Sequence, residues 1–226
     1  MDKLVLFDVN NTLTRDAKSI REMSEYVQES IRNIYGVLVE VDLSKYEGMT
    51  SQETAEAILL ENGMPKEDIE QKLARYTEDL FYSYYNVAGH DKQLIAEGAK
   101  QLLDELSKEG ALIGMATGET EKIARFRLEK TSLDSYFRFG AFGNEAKSAA
   151  GIVAKAIEKA KNDFSFSGKA VLVSCYPSLI RAAKANGILS VGIANGKFAP
   201  AVLSEAGADR VIASLRNGAE IKKLVE

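Results

Sequence analysis

The stretch Lys3-Leu-Val-Leu-Phe-Asp-Val-Asn-Asn-Thr-Leu13 opens with a short run of β-favouring apolar residues and breaks at an Asp into Asn10-Asn11-Thr12. Apolar character over so few residues, closed by turn formers, is the pattern of a buried strand ending in a polar loop. Four later runs repeat it: Ala111 to Ala116, Ala170 to Ser174, Ser190 to Ala194 and Asp209 to Ile212. Each follows a stretch with helical spacing and a break containing glycine. Strands alternating with helices in this way form βαβ units, and the expected class is α/β with a parallel sheet.

Between the first strand and the rest, the pattern changes. Ser19 to Tyr35, Ser51 to Asn62 and Lys66 to Tyr85 carry apolar residues at three- and four-residue spacing, with little between them that suits a strand. Ser51, with Glu53 in the first turn, is a fair helix start although Ser51-x-x-Thr54 lacks the acid of a capping box. This region is expected to be a helical insertion. Tyr76, Phe81, Tyr82, Tyr84 and Tyr85 crowd its end; core packing is the ordinary reading, a ligand-facing surface the alternative. Gly98 is expected to open a helix from Ala99 to Glu109. Gly110, Gly168 and Gly187 stand where left-handed helix ends are expected before strands.

The composition narrows the chemistry. The chain has 226 residues, 46% of them hydrophobic, a formal net charge of −4, one Cys and one His. That length allows one α/β domain with an insertion, or two small domains, and the hydrophobic content excludes a disordered chain. One cysteine and one histidine exclude an internal disulfide and a His/Cys zinc site. No basic run suggests nucleic acid or a membrane surface, no apolar stretch nears the length of a membrane span, and the N-terminal residues do not resemble a secretory signal. The expected setting is cytoplasmic.

In open parallel sheets ligands collect beyond the carboxyl ends of the strands. The first strand delivers Asp8, Asn10 and Thr12 there, the second Thr117 and Gly118, and the run ending near Val173 delivers Ser174, Cys175 and Tyr176; Lys147 begins the helix Ala149 to Lys161 on the same side. This set resembles the haloacid dehalogenase superfamily, in particular its phosphoglycolate-phosphatase-like branch. Phe7-Asp-Val-Asn-Asn-Thr-Leu13 is similar to the first motif, hydrophobic-Asp-x-Asp-Gly-Thr-Leu. Met115-Ala-Thr-Gly118 is similar to the second. Lys147-Ser-Ala-Ala-Gly-Ile152 has the spacing of the third without its prolines, and the segments around Ala182 to Gly187 and Ala206 to Leu215 resemble those after the fourth.

The resemblance implies a three-layer Rossmann-like core, residues 1–15 plus 92–226, with a helical cap at 16–91. It also implies in-line attack of Asp8 on a small phosphate monoester, with an aspartyl-phosphate intermediate. Thr117 and the backbone N–H groups near Asn11 and Gly118, beside Thr12, would hold phosphate oxygens, and Lys147 would neutralise charge. The position that normally supplies a general acid is Asn10, whose amide cannot transfer a proton. The fourth motif usually holds Mg²⁺ with carboxylates; here Ser174-Cys-Tyr-Pro-Ser-Leu179 puts Cys175 and Leu179 at those positions. From Phe164 to Ser204 there is no Asp or Glu, only the cations Lys169, Arg181, Lys184 and Lys197. Asp8 and the Asn10 carbonyl are the remaining candidates for Mg²⁺.

Three functions fit: a phosphatase with impaired or altered catalysis, a catalytically silent homologue that binds a phosphorylated ligand or a protein partner, and a metal-independent 2-haloacid dehalogenase. The last is suggested by the Val173-Ser174 opening and opposed by Leu179. Asp8 beside Lys147 reads either as catalytic machinery or as an ion pair left from a lost active site. The expected partner is a small phosphorylated metabolite, and the expected state a monomer or homodimer. Cys175 is expected to be a buried, inert thiol and His90 a surface residue near the hinge.

Overall fold

The computed structural model describes residues 2–225. Strand β1 (Lys3–Phe7) leads through a tight loop into the two-residue strand β2 (Thr14–Arg15). Helices α1 (Ile20–Tyr35), α2 (Ser51–Glu61) and α3 (Lys66–Ala88) follow, and β3 (Leu94–Ile95) returns antiparallel to β2. Helices and strands then alternate: α4 (Ala99–Lys108), β4 (Leu112–Ala116), α5 (Glu121–Lys130), β5 (Phe139–Ala141), α6 (Ala149–Phe164), β6 (Lys169–Ser174), α7 (Pro177–Ala185), β7 (Leu189–Ile193), α8 (Pro200–Glu205), β8 (Arg210–Ile212) and α9 (Ala219–Val225).

The six longer strands form one parallel sheet in the order β5-β4-β1-β6-β7-β8. Alternation of side chains explains why β1 is apolar throughout: Val5 and Phe7 join a core with α4, α5 and α9, while Leu4 and Leu6 face α6 and α7. Each such side chain, fully buried, contributes roughly 1.5–3 kcal/mol. Phe7 stands level with Met115 on one side and Val173 on the other, so β1, β4 and β6 end together. The sheet is a Rossmann-type α/β layer flanked by helices. Its crevice lies where the chain order turns, beside β1.

The helices between β2 and β3 form an insertion in the strand sequence and pack largely around their own apolar cluster, including Val27, Ile31, Leu59, Ile69 and Tyr76. Their starts are set by side chains. Ser19 with Glu22, and Thr50 with Glu53, close reciprocal capping boxes. The cap of α2 is thus Thr50, one residue before the expected Ser51. The aromatic cluster divides: Tyr76 and Tyr84 are buried, whereas Tyr82 and Tyr85 are exposed.

Two further differences have local causes. Strand β5 is absent from the sequence reading because it is three residues long and follows a 3-10 turn at Asp134–Tyr136. Gly110 and Gly187 are left-handed as expected, but Gly168 is not; Ser165 takes the left-handed position after α6. Glycine at 168 serves a close approach instead, since a Cβ there would lie 1.8 Å from the Asp2 carbonyl oxygen. Among the described residues no helix is long and apolar enough to cross a membrane.

Candidate active site

Asp8 is the first residue beyond β1 and is 2% exposed. Its backbone N–H continues the ladder to the Val173 carbonyl at 3.0 Å, which fixes the side chain at the carboxyl edge of the sheet. Three hydroxyls donate to its carboxylate: Thr117 to Oδ1 at 2.8 Å, and Thr12 and Ser174 to Oδ2 at 3.0 and 3.3 Å. Burial pushes the carboxyl up to about 6. The hydroxyl bonds of Thr117 and Thr12 oppose that rise, and nearby Glu119 adds to it.

The loop after Asp8 is wound tightly because the N–H groups of Thr12, Leu13 and Thr14 all point at the Val9 carbonyl. Asn11 takes a left-handed conformation (φ 56°), which Asn tolerates better than most residues. Its N–H is engaged by the Thr14 carbonyl at 2.7 Å, so the expected Asn11 phosphate donor is already in use. The Asn11 side chain donates to the Tyr176 hydroxyl at 2.8 Å. Thr12 also accepts from the Cys175 N–H at 3.1 Å, tying the β1 loop to the end of β6.

Gly118 follows Thr117 at the end of β4 and is pressed between two backbones. Its carbonyl accepts from Ser51 of the insertion at 2.9 Å, and a Cβ on Gly143 would lie 1.9 Å from the same oxygen. The N–H of Gly118 is in no hydrogen bond among the described residues and remains available to an anion.

A cavity of about 360 Å³ lies between the strand ends and the insertion; Asp8, Asn10, Asn11, Thr117 and Gly118 belong to its lining. Lys147 does not. Its ammonium pairs with Glu70 of α3 at 2.8 Å and is largely exposed, so it does not stand beside Asp8 as either reading of the pair has it. The spacing of the third motif fixes where α6 begins, but a long side chain follows the nearest carboxylate, and here that belongs to the insertion. Cys175 is fully buried, and burial with the nearby Asp8 charge pushes its thiol far up, leaving it an inert neutral group. His90 is exposed and edges against Tyr85.

One wall of the cavity went unread in the sequence. Arg127 of α5, 1% exposed, donates to Asp16 at 2.5 Å and lies 3.7 Å from Glu119, with its guanidinium 4.8 Å from the Tyr84 ring centre. Gln93 and Tyr84 also donate to Asp16, at 2.6 and 3.0 Å. Desolvation opposes ionisation of Asp16, yet Arg127 and these donors hold it below the usual carboxylate range; Glu119, less well paired, is pushed up by burial. Arg127 Nε, Glu119 Oε2 and the Tyr76 hydroxyl are buried without hydrogen-bond partners. A signal existed: Arg127 shares the face of α5 that carries Ile123, Ala124 and Leu128, all buried.

The donor set does not suit Mg²⁺. Among the described residues no three His, Cys, Asp or Glu side chains gather as a metal site. After β6, the positions where the resemblance implies metal-binding acids are the buried, neutral Cys175 thiol and the buried Leu179, while Asp8 itself is surrounded by hydroxyl donors.

The sequence pattern of the haloacid dehalogenase-like hydrolases matches residues 5–193. Solved structures share the fold. A hydrolase from Pseudomonas syringae aligns with a TM-score of 0.73 at 20% identity, covering 100% of both chains. A predicted phosphatase from Clostridium acetobutylicum aligns at 0.72 and 20% identity, over 99% of this chain and 100% of that one. A predicted phosphoglycolate phosphatase from Haemophilus somnus aligns at 0.71 and 14% identity, over 98% of each. No curated protein matches the chain in sequence.

Proposed function

From the premise that this chain belongs to the haloacid dehalogenase-like hydrolases, we propose that it hydrolyses a small phosphate monoester through Asp8, with residues 16–91 as a cap over a core of 1–15 and 92–226. The observation that carries the reading is the Asp8 carboxylate, buried at the floor of a cavity and held by three hydroxyls. An Asp8 oxygen attacks phosphorus as the ester P–O bond breaks, giving an aspartyl-phosphate and an alcohol. Water then attacks phosphorus, the bond to Asp8 breaks, and the carboxylate returns with inorganic phosphate released. Thr12, Thr117 and the Gly118 N–H orient the carboxylate and the phosphate oxygens. Lys147 adds charge only after leaving Glu70.

Catalysis is altered at the leaving group. Asn10 cannot supply a proton, and a lost general acid typically costs about 10²–10⁴ in rate. Esters whose leaving group needs no proton should therefore be strongly preferred. Steady-state assays should show p-nitrophenyl phosphate turning over far faster than an alkyl phosphate such as phosphoglycolate. The rate should rise with pH through about 6 as Asp8 ionises. No rate above an Asp8→Asn control overturns the reading. A silent, ligand-binding homologue is the second reading, favoured by the engagement of Lys147 with Glu70.

A further inference from the structure

The acid-free stretch from Phe164 to Ser204 sends one cation into the cavity. Lys197, in the loop after β7, lines the cavity together with Asp8, and its side chain is only 23% exposed. The loop is fastened to the phosphate-facing loop from two directions. Asn195 donates to the Asn11 carbonyl at 2.5 Å, while the Lys197 N–H donates to the Asn195 side chain at 3.4 Å. Phe198 packs edge-on against Tyr176, whose hydroxyl receives the Asn11 side chain. Lys197 therefore shares one cavity with Asp8, in a loop held to the β1 loop by the Asn195–Asn11 hydrogen bond.

The other cations of the cavity are placed differently. Arg127 is committed to Asp16 and Glu119, Lys18 pairs with Asp91, and Arg15 lies on β2. The ionic partner of Lys197 among the described residues is Glu47 of the insertion, which also lines the cavity. A carboxylate reaching across to a cation that lines the nucleophile's cavity holds a place an anionic ligand could take, and a phosphate dianion carries more charge to that cation than a single carboxylate does.

We propose that Lys197 supplies the positive charge that a divalent cation would otherwise bring, so that this site binds inorganic phosphate and phosphate monoesters without metal, displacing Glu47. The inference rests on the phosphate-binding part of the function given above, not on turnover. Calorimetric titration of inorganic phosphate into the full chain in EDTA tests it. Binding should be present and change less than about twofold when Mg²⁺ replaces EDTA. Lys197→Met should weaken it about tenfold or more, as loss of a charge-assisted contact does. Lys197→Arg should restore most of it, and Glu47→Gln should tighten it.

Binding that requires Mg²⁺, or that is absent in EDTA, or that Lys197→Met leaves intact, overturns the inference. The two readings fail separately. Lys197-dependent phosphate binding in EDTA without Asp8-dependent turnover supports this inference and removes the hydrolase. Turnover that needs Mg²⁺ and ignores Lys197 does the reverse.

Discussion

Asp8 and Asp16 line one cavity and are both largely buried, yet the protein drives them in opposite directions. Asp8 is met by neutral hydroxyls, a backbone N–H and the nearby Glu119 charge rather than by a guanidinium, so desolvation prevails and its proton is held to about pH 6. Asp16 meets a guanidinium, so charge pairing prevails and it stays a fixed anion. Burial alone does not make a reactive carboxylate. The company it keeps decides whether it can exchange a proton or a phosphoryl group or only bear load.

Breaking the charged side should have the largest effect. Arg127→Leu strands Asp16 and Glu119 in a buried setting and should cost about 3–5 kcal/mol in urea unfolding. A loss under about 1 kcal/mol would show that water already reaches both carboxylates. The effect should shrink as pH falls and the two acids become neutral. Asp16 is the last to do so, because its folded value lies below the ordinary one.

The neutral side should respond with the opposite sign. Since burial raises Asp8 from 3.8 to about 6, its contribution is fully present below the lower value and is lost as pH rises through the upper. Asp8→Asn removes that loss. The variant should match the parent near pH 4 and be more stable at pH 8, on the order of 2–3 kcal/mol. Equal stability at both pH values would contradict the raised Asp8. The smallest effect belongs to the exposed Lys147–Glu70 pair. Glu70→Gln should leave the urea unfolding midpoint essentially unchanged, and a clear shift would mean that the pair latches the insertion to the core.

Why one carboxylate was legible and the other not follows from what each depends on. Asp8, Thr12 and Thr117 are delivered by strand ends, and a strand buried on both faces announces itself as an apolar run, so their meeting is implied by sheet order. Arg127 is delivered by the inward face of a helix beside Ile123, Ala124 and Leu128, a placement that marks it as buried but does not name its partners. Asp16 and Glu119 come from two other segments. Lys147 shows the same limit, since spacing set its backbone but Glu70, on a distant helix, set its direction. Lys197 was visible only as one cation in an acid-free stretch; the Asn195–Asn11 hydrogen bond that positions it is a tertiary fact.

The placement of β1 also bears on how the molecule is made. β1 pairs with β4 and β6, so Phe7 waits for Met115 and Val173 to be synthesised, whereas α1 and α3 meet within residues 20–88. Local contacts form early and distant ones late. A growing chain can therefore consolidate its helices while Asp8 still stands in water. The full hydroxyl cradle of Asp8 arrives only with Ser174, so a nascent or truncated chain lacking β6 carries the Asp8 sequence without the buried setting built around it.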